Sequence, residues 1–364
     1  MTKTLFFSLF ILVCYGCQNT GNKEVKTVST TIKYAKHFTL EEKEGYTKLV
    51  IKSPENGAAE QSFALVKRGS KVQTPLDLIQ LEVPIQGMGA LSTGFVGMIS
   101  ELGEVNSIKM TTDSKYIYNP QLKKNIKEKK VLTADFEGAV SPALMLSKKV
   151  ELITFSGFGT PYPNHEKLEQ LGINCMAIYD WKELDPLAKV EWIKLFGALY
   201  DKKQEANNYF EEIEKNYKTL KTKISTSKHK ELVITGGMFG DIWNATAGES
   251  FLAGIMKDAG MDYLYKNTKG TGSNQYPLSK IITDEKNCTR WLNAEAKSMT
   301  ELLRLNPKFA VLNTVKTGQV YSYFNKTNYF WEYNSMHPDW LLEDFAMIGG
   351  TLPMKKMHFY QRLK

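Results

Sequence analysis

The stretch Asp185-Pro186-Leu187-Ala188-Lys189-Val190-Glu191-Trp192-Ile193-Lys194-Leu195-Phe196-Gly197 decides the fold. Asp185 reads as a helix N-cap and Pro186 as the first helical residue, where its missing N–H costs nothing. About 40 residues then run without a further proline and, apart from Gly197, without glycine. In the second half, Ala206, Phe210, Ile213, Tyr217, Leu220 and Ile224 recur at spacings of four and three, which builds one apolar helical face. An unbroken helix over 185–225 would be long enough to brace two bodies, with Asp201 as a candidate kink.

On either side of this spine, short apolar runs alternate with loops and helical segments, the mark of parallel α/β wrapping. Before it, Tyr46–Ile51 and Ser62–Val66 read as a hairpin around Pro54-Glu55-Asn56-Gly57. Val83-Pro84-Ile85, Val131–Ala134, Leu152–Phe155 and Asn174–Ile178 follow as strands, with a helix over Gly94–Leu102. After it, strands are expected at Leu232–Thr235, Arg290–Asn293, Phe309–Asn313 and Val320–Tyr323. Helices are expected at Phe251–Ala259, Met299–Leu305 and Pro338–Ile348. The expected fold class is α/β: two Rossmann-like lobes, 45–184 and 226–364, joined by a long rigid helix over 185–225, with a ligand cleft between them.

The chain has 364 residues, a formal charge of +8 and only 4 cysteines. Arg68, Arg290, Arg304 and Arg362 are the only arginines, so the positive charge is lysine spread through folded sequence. Such a pattern argues against nucleic acid, which calls for a concentrated stripe with bidentate arginines. At the N-terminus, Lys3 precedes an apolar run from Leu5 to Val13, too short to span a bilayer but suited to a signal peptide. Val13-Cys14-Tyr15-Gly16-Cys17 then resembles a lipoprotein processing site, which makes 1–16 the signal peptide, Cys17 the lipidated residue and 17–44 a tether. Cys175 and Cys288 are expected to be free, buried thiols.

Catalytic and metal signatures are missing. His37, His165, His229, His337 and His358 are scattered, and no HExxH, paired-cysteine, phosphate-loop, dinucleotide or nucleophile-elbow pattern occurs. No metal ligands, catalytic residues or intrinsic cofactor are therefore assigned. What recurs instead is aromatic residues in loops that follow strands, where open α/β sheets bind ligands. The N-terminal half offers Met88, Ser92, Thr93 and Tyr116, then Phe136, Phe158, Tyr162 and Trp181. The C-terminal half offers Met238, Phe239, Trp243, Asn274 and Tyr276, then Tyr329 and Trp331. Rings grip large planar ligands at low entropic cost, and Trp243 and Trp331 stand out as a pair.

The chain resembles the substrate-binding proteins of iron-siderophore, haem and cobalamin import, the type with a helical backbone between lobes. The carriers are Asp185-Pro186-Leu187 through Gly197, Glu205-Ala206, Ala259-Gly260-Met261-Asp262-Tyr263-Leu264, Tyr276-Pro277-Leu278-Ser279 and His337-Pro338 with Leu341-Leu342. Glu44-Gly45-Tyr46 resembles the variety found in Bacteroidetes-type bacteria. The resemblance implies a monomeric, exported, membrane-anchored protein that binds a metal chelate (ferric siderophore, haem or cobalamin) and is not an enzyme. An iron-chelate-processing enzyme on the same scaffold is the rival of another class. It also implies one docking carboxylate per lobe for an ABC permease. Ala143 stands at the first of these positions and Lys280 or Ile281 at the second, with Glu137 and Glu285 as nearby substitutes. This departure makes a TonB-dependent outer-membrane receptor the alternative partner.

Overall fold

The computed structural model describes residues 30–134, 140–224 and 231–364. Four strands open it: β1 (Phe38–Lys43), β2 (Tyr46–Lys52), β3 (Ala59–Lys67) and β4 (Ile79–Val83). The first three pair antiparallel and β4 adds in parallel. Thr47, Leu49 and Ile51 are buried in strict alternation along β2, and Leu49 faces Leu40 on one side and Phe63 on the other. The two-residue loop Glu44-Gly45 closes β1 on β2, and Gly45 takes the positive φ of 82° that such a turn demands. β1 thus lies inside the stretch that the sequence assigns to the tether. Just before it, residues 33–37 are stitched to the connecting helices by buried carboxylates. Glu191 accepts the amides of Lys33, Tyr34 and Ala35, and Glu183 those of Lys36 and His37.

The N-terminal lobe continues with β5 (Met88–Ala90), α1 (Thr93–Glu101), β6 (Ile108–Thr112), α2 (Pro120–Lys127), β7 (Leu132–Ala134), α3 (Pro142–Ser147), β8 (Leu152–Ser156), α4 (His165–Gln170) and β9 (Asn174–Ile178). These strands form one parallel sheet in the order β7-β6-β5-β8-β9. The order reverses between β5 and β8, and a crevice opens at such a switch point beyond the strands' carboxyl ends.

The connection is three helices rather than one rod: α5 (Pro186–Glu191), α6 (Ile193–Leu199) and α7 (Lys203–Ile224). Asp185 caps α5 as expected, its carboxylate accepting the Leu187 amide at 2.7 Å. Asp201 has a left-handed φ of 55° and ends α6. The chain then turns so closely that a Cβ on Gly197 would lie 2.4 Å from Cβ of Ala206. The longest straight piece, α7, therefore spans about 33 Å, well short of one rod over the whole connection. Its apolar face (Ala206, Phe210, Ile213, Tyr217 and Ile224) is buried as the spacing predicts.

The C-terminal lobe comprises β10 (Leu232–Thr235), β11 (Gly237–Phe239), β12 (Ile242–Thr246), α8 (Phe251–Asp258), β13 (Asp262–Tyr263), β14 (Ser273–Pro277), α9 (Leu278–Asp284), β15 (Arg290–Leu292), α10 (Met299–Leu305), α11 (Asn313–Lys316), β16 (Tyr321–Ser322), α12 (Thr327–Tyr333), α13 (Pro338–Ile348) and β17 (Gln361–Arg362). β13, β10 and β15 are parallel, and Val320 extends them through a bridge to Trp291. β11, β12 and β14 form a separate antiparallel sheet. The strand expected at Phe309–Asn313 is a 3-10 turn over Pro307–Val311. Pro307 starts it, and the Asn306 side chain caps it by accepting the Lys308 amide. No helix among the described residues is long and apolar enough to cross a membrane.

Candidate ligand-binding cleft

Loops from both lobes meet at the carboxyl ends of their strands, and α12 is wedged between the lobes. On the C-terminal side, Phe330 stacks on Tyr323 with ring centroids 3.8 Å apart and packs edge-on against Phe359 and Tyr360. On the N-terminal side, the Thr93 hydroxyl donates to the Trp331 carbonyl at 3.1 Å. Asn328 Nδ2 donates to the carbonyls of Lys115 and Ile117, and Tyr118 meets Tyr329 and Tyr333 edge-on. Gly97 makes the approach of α1 possible, because a Cβ there would sit 2.2 Å from the Glu332 carbonyl oxygen.

Glu332 is the polar centre of this junction. Fully buried, its carboxylate accepts the amides of Tyr118 and Asn119. Burial penalises the charged form more than those donors favour it, and the carboxyl is pushed up to about 7. The lobes are therefore joined twice, through the connecting helices and through α12.

The nominated ligand residues divide by burial. Phe158, on the loop after β8 at the switch point, is 71% exposed, and Phe239, at the β11–β12 turn, is 83% exposed. Phe158 packs on Trp181, the rings tilted by 37° with centroids 5.0 Å apart. The Trp181 indole donates to the Gly157 carbonyl, and the Lys182 ammonium lies 4.3 Å from its ring. This pair lines a cavity of about 730 Å³ that the C-terminal lobe enters through Gly270 and Thr271. Trp331 and Tyr116 are also exposed. Ser92, Thr93, Met238 and Asn274 are half-buried.

Trp243 and Met88 do not face a ligand. Both are fully buried. Trp243 packs against Trp291 and Phe309 and donates its indole N–H to the Thr235 carbonyl. Along β12 it alternates inward with Ala245, so its position on a strand, not in a loop, decides its fate. Tyr276 stacks on Tyr265, Tyr162 packs on Phe155, and Tyr329 is enclosed by Tyr118, Tyr333 and Phe359. These three rings are half-buried supports. Phe136, Glu137 and Cys17 lie outside the described residues.

A second cavity between the lobes, of about 870 Å³, escaped the sequence analysis. Tyr118 and Lys123 enter it from the N-terminal lobe; Lys297, Phe324–Tyr329 and Lys356–His358 enter from the C-terminal side. Single lysines carry no motif, and this set is spread over 234 positions of sequence, from Lys123 to Lys356, so only the fold brings it together. No group of three or more His, Cys, Asp or Glu among the described residues is placed to hold a metal ion.

The expected docking carboxylates are missing from the described surface. α3 exposes Ala143, Leu144 and Leu146, while Lys280 pairs with Asp284 at 2.6 Å and Ile281 is buried. Glu285 is no substitute. It is buried and accepts the amides of Asn313 and Thr314, capping α11.

Comparison with known proteins agrees with this architecture. The chain is 28% identical over 211 residues to an uncharacterized lipoprotein of Methanocaldococcus jannaschii, an alignment that covers 55% of this chain and only 50% of that protein. Among solved structures, a periplasmic haem-binding protein from Pseudomonas aeruginosa superposes with a TM-score of 0.58 at 13% identity, covering 77% of this chain and 98% of that one. A periplasmic vitamin B12 binding protein of Vibrio cholerae does so with a TM-score of 0.54 at 14% identity, covering 73% and 97%. At such identities the likeness concerns the fold. The profile of the periplasmic binding proteins matches residues 90–327, and it is to this family that the chain belongs.

Proposed function

We propose that the protein captures a bulky metal chelate, a ferric siderophore or haem, in the cleft between its lobes and releases it unchanged. The observation that carries this reading is the exposure of Phe158, on the loop after β8, and of Phe239, at the end of β11 in the other lobe, 71% and 83%. Exposed rings of that size cost free energy in water, and a large apolar guest held between them removes that cost. The haem-binding fold neighbour supports the same ligand class. Cobalamin is the competing guest, supported by the vitamin B12 binding neighbour and by the absence of arginine from both cavities among the described residues.

Quenching of tryptophan fluorescence during titration with haemin, ferric siderophores and cyanocobalamin tests the reading, with the ligand recovered afterwards. Saturable quenching by an iron chelate recovered intact supports it. Saturation by cyanocobalamin alone shifts the ligand to a corrinoid, and chemical conversion of the chelate marks an enzyme.

The protein then lies outside the cytoplasm, anchored through Cys17, with an N-terminal lobe that runs from β1 to residue 184, the connection over 185–225 and a C-terminal lobe over 226–364. Palmitate labelling that Cys17→Ser abolishes is the expected result. Delivery is to an ABC permease or, because Ala143 and Lys280 replace the anticipated carboxylates, to a TonB-dependent outer-membrane receptor. Protease shaving of intact cells separates the two, since only a surface protein is cut.

A further inference from the structure

We propose that the cavity formed by Lys123, Lys297, Lys326 and Lys356 beside Tyr118, Phe324 and Tyr329 binds the anionic groups of the captured chelate. This rests on the chelate-capture reading and adds to it the charge of the ligand.

Four lysines and no aspartate or glutamate line this space among the described residues. The chain as a whole is nearly balanced, with 47 basic and 39 acidic residues, so the segregation is local. The acids closest to the wall are already engaged. Glu332 faces the amides of Tyr118 and Asn119. Glu343 pairs with Lys355 and His358, and Asp344 accepts the amides of His358, Phe359 and Tyr360. Lys123, Lys297 and Lys356 form no ion pair with a described carboxylate.

Lys326 is the most informative of the four. It is half-buried, and its ammonium donates to the carbonyls of His358 at 2.6 Å and Met357 at 3.3 Å. Two carbonyl dipoles hold the group in place without neutralising it, and burial lowers its pKa. Asp344 attracts the charge without pairing with it and Lys356 repels it, so a half-buried ammonium is left under-compensated, and an incoming anion supplies what is missing. The aromatic walls suit the planar or apolar body that such a ligand carries. Carboxylates of haem and carboxylate or catecholate oxygens of a ferric chelate share this chemistry. A near-neutral corrinoid does not.

The test compares the wild-type protein with the triple variant Lys123→Gln, Lys297→Gln, Lys356→Gln, in which Lys326 is left to support the fold. Haemin, ferric citrate and cyanocobalamin are titrated by fluorescence quenching at low and high salt, and citrate alone is scored by its shift of the melting temperature. We expect the variant to bind haemin or ferric citrate at least about tenfold more weakly, with a shallower salt dependence and unchanged affinity for cyanocobalamin. Anionic-chelate affinities within about twofold of wild type would overturn the inference while leaving chelate capture intact. If no chelate quenches, capture fails, and the citrate arm still decides the cavity. Stabilisation of the wild type but not of the variant supports an anion site, and no stabilisation of either overturns it.

Discussion

Replacing Glu332 by glutamine isolates the physics of the junction between the lobes. The carboxyl has an ordinary value of 4.5 and rises to about 7 on folding, with desolvation the largest cause and the amides of Tyr118 and Asn119 opposing it. Between those two values the folded protein holds a proton that the unfolded chain has released. This group's contribution is therefore most favourable below about pH 4.5 and declines as pH rises towards 7. At about 1.4 kcal/mol per tenfold change in proton affinity, the decline between pH 5 and 8 is about 2.5 kcal/mol. Glutamine carries no charge at any of these pH values and escapes the decline. Urea unfolding of both proteins at pH 5, 6, 7 and 8 is the assay. Glu183, also raised to about 7 by burial, titrates alike in both and cancels from the difference. The stability difference should move by about 2.5 kcal/mol in favour of Glu332→Gln from pH 5 to 8. A difference independent of pH would refute the reasoning. Movement in the opposite sense would show that the two amide donors outweigh burial.

Other positions give separate tests. Gly97→Ala should destabilise by about 1–3 kcal/mol, because the added methyl meets the Glu332 backbone carbonyl rather than a yielding side chain; thermal melting measures it. Glu191→Ala removes the acceptor for three amides and the partner of buried Lys194 at 2.9 Å, at a cost of about 3–5 kcal/mol. Limited proteolysis should then cut within residues 30–37 of the variant and spare them in the wild type. Burial pushes the thiols of Cys175 and Cys288 up to about 12, so neither should react with iodoacetamide at pH 8 until the protein unfolds; mass spectrometry reads the adducts. Phe239→Ala should leave the melting temperature within about 1 °C of wild type, since an exposed ring packs against little, while weakening chelate binding.

Much of the fold was legible because its signals are periodic. The apolar face of α7, the runs at β8, β9 and β10, the capped start of α5 and the proline start of α13 each follow from local sequence. β6 was not anticipated. Its sequence, Ile108-Lys109-Met110-Thr111-Thr112, is half polar, and Thr111 is tolerated inside only because its hydroxyl donates to the Ala90 carbonyl. The sheet of β11, β12 and β14 was missed as well. Reading its first part as a loop after a strand placed Trp243 at the cleft, whereas the alternation of β12 turns it inward. The break at Asp201 was anticipated as a kink, but its consequence, α6 folding back against α7, depends on the contact of Gly197 with Ala206.

The site was less legible than the fold. Phe158 is exposed on the loop after β8, where post-strand rings were sought, whereas the exposed Phe239 ends strand β11 and the exposed Trp331 lies within α12. The α12 junction was invisible because Glu332 and Gly97 carry no local signal of their meeting. The four lysines were legible only as part of the positive charge spread through folded sequence. Only the arrangement of α12 against residues 356–358 gives them a shared cavity.

Hydrogen–deuterium exchange with and without a saturating chelate tests the central claim most directly, that a guest is held between the two lobes. Slower exchange is predicted in loops of both lobes at once, at residues 157–163 and at 237–242, with α7 unchanged. Protection confined to one lobe, or spread evenly over the chain, would contradict it.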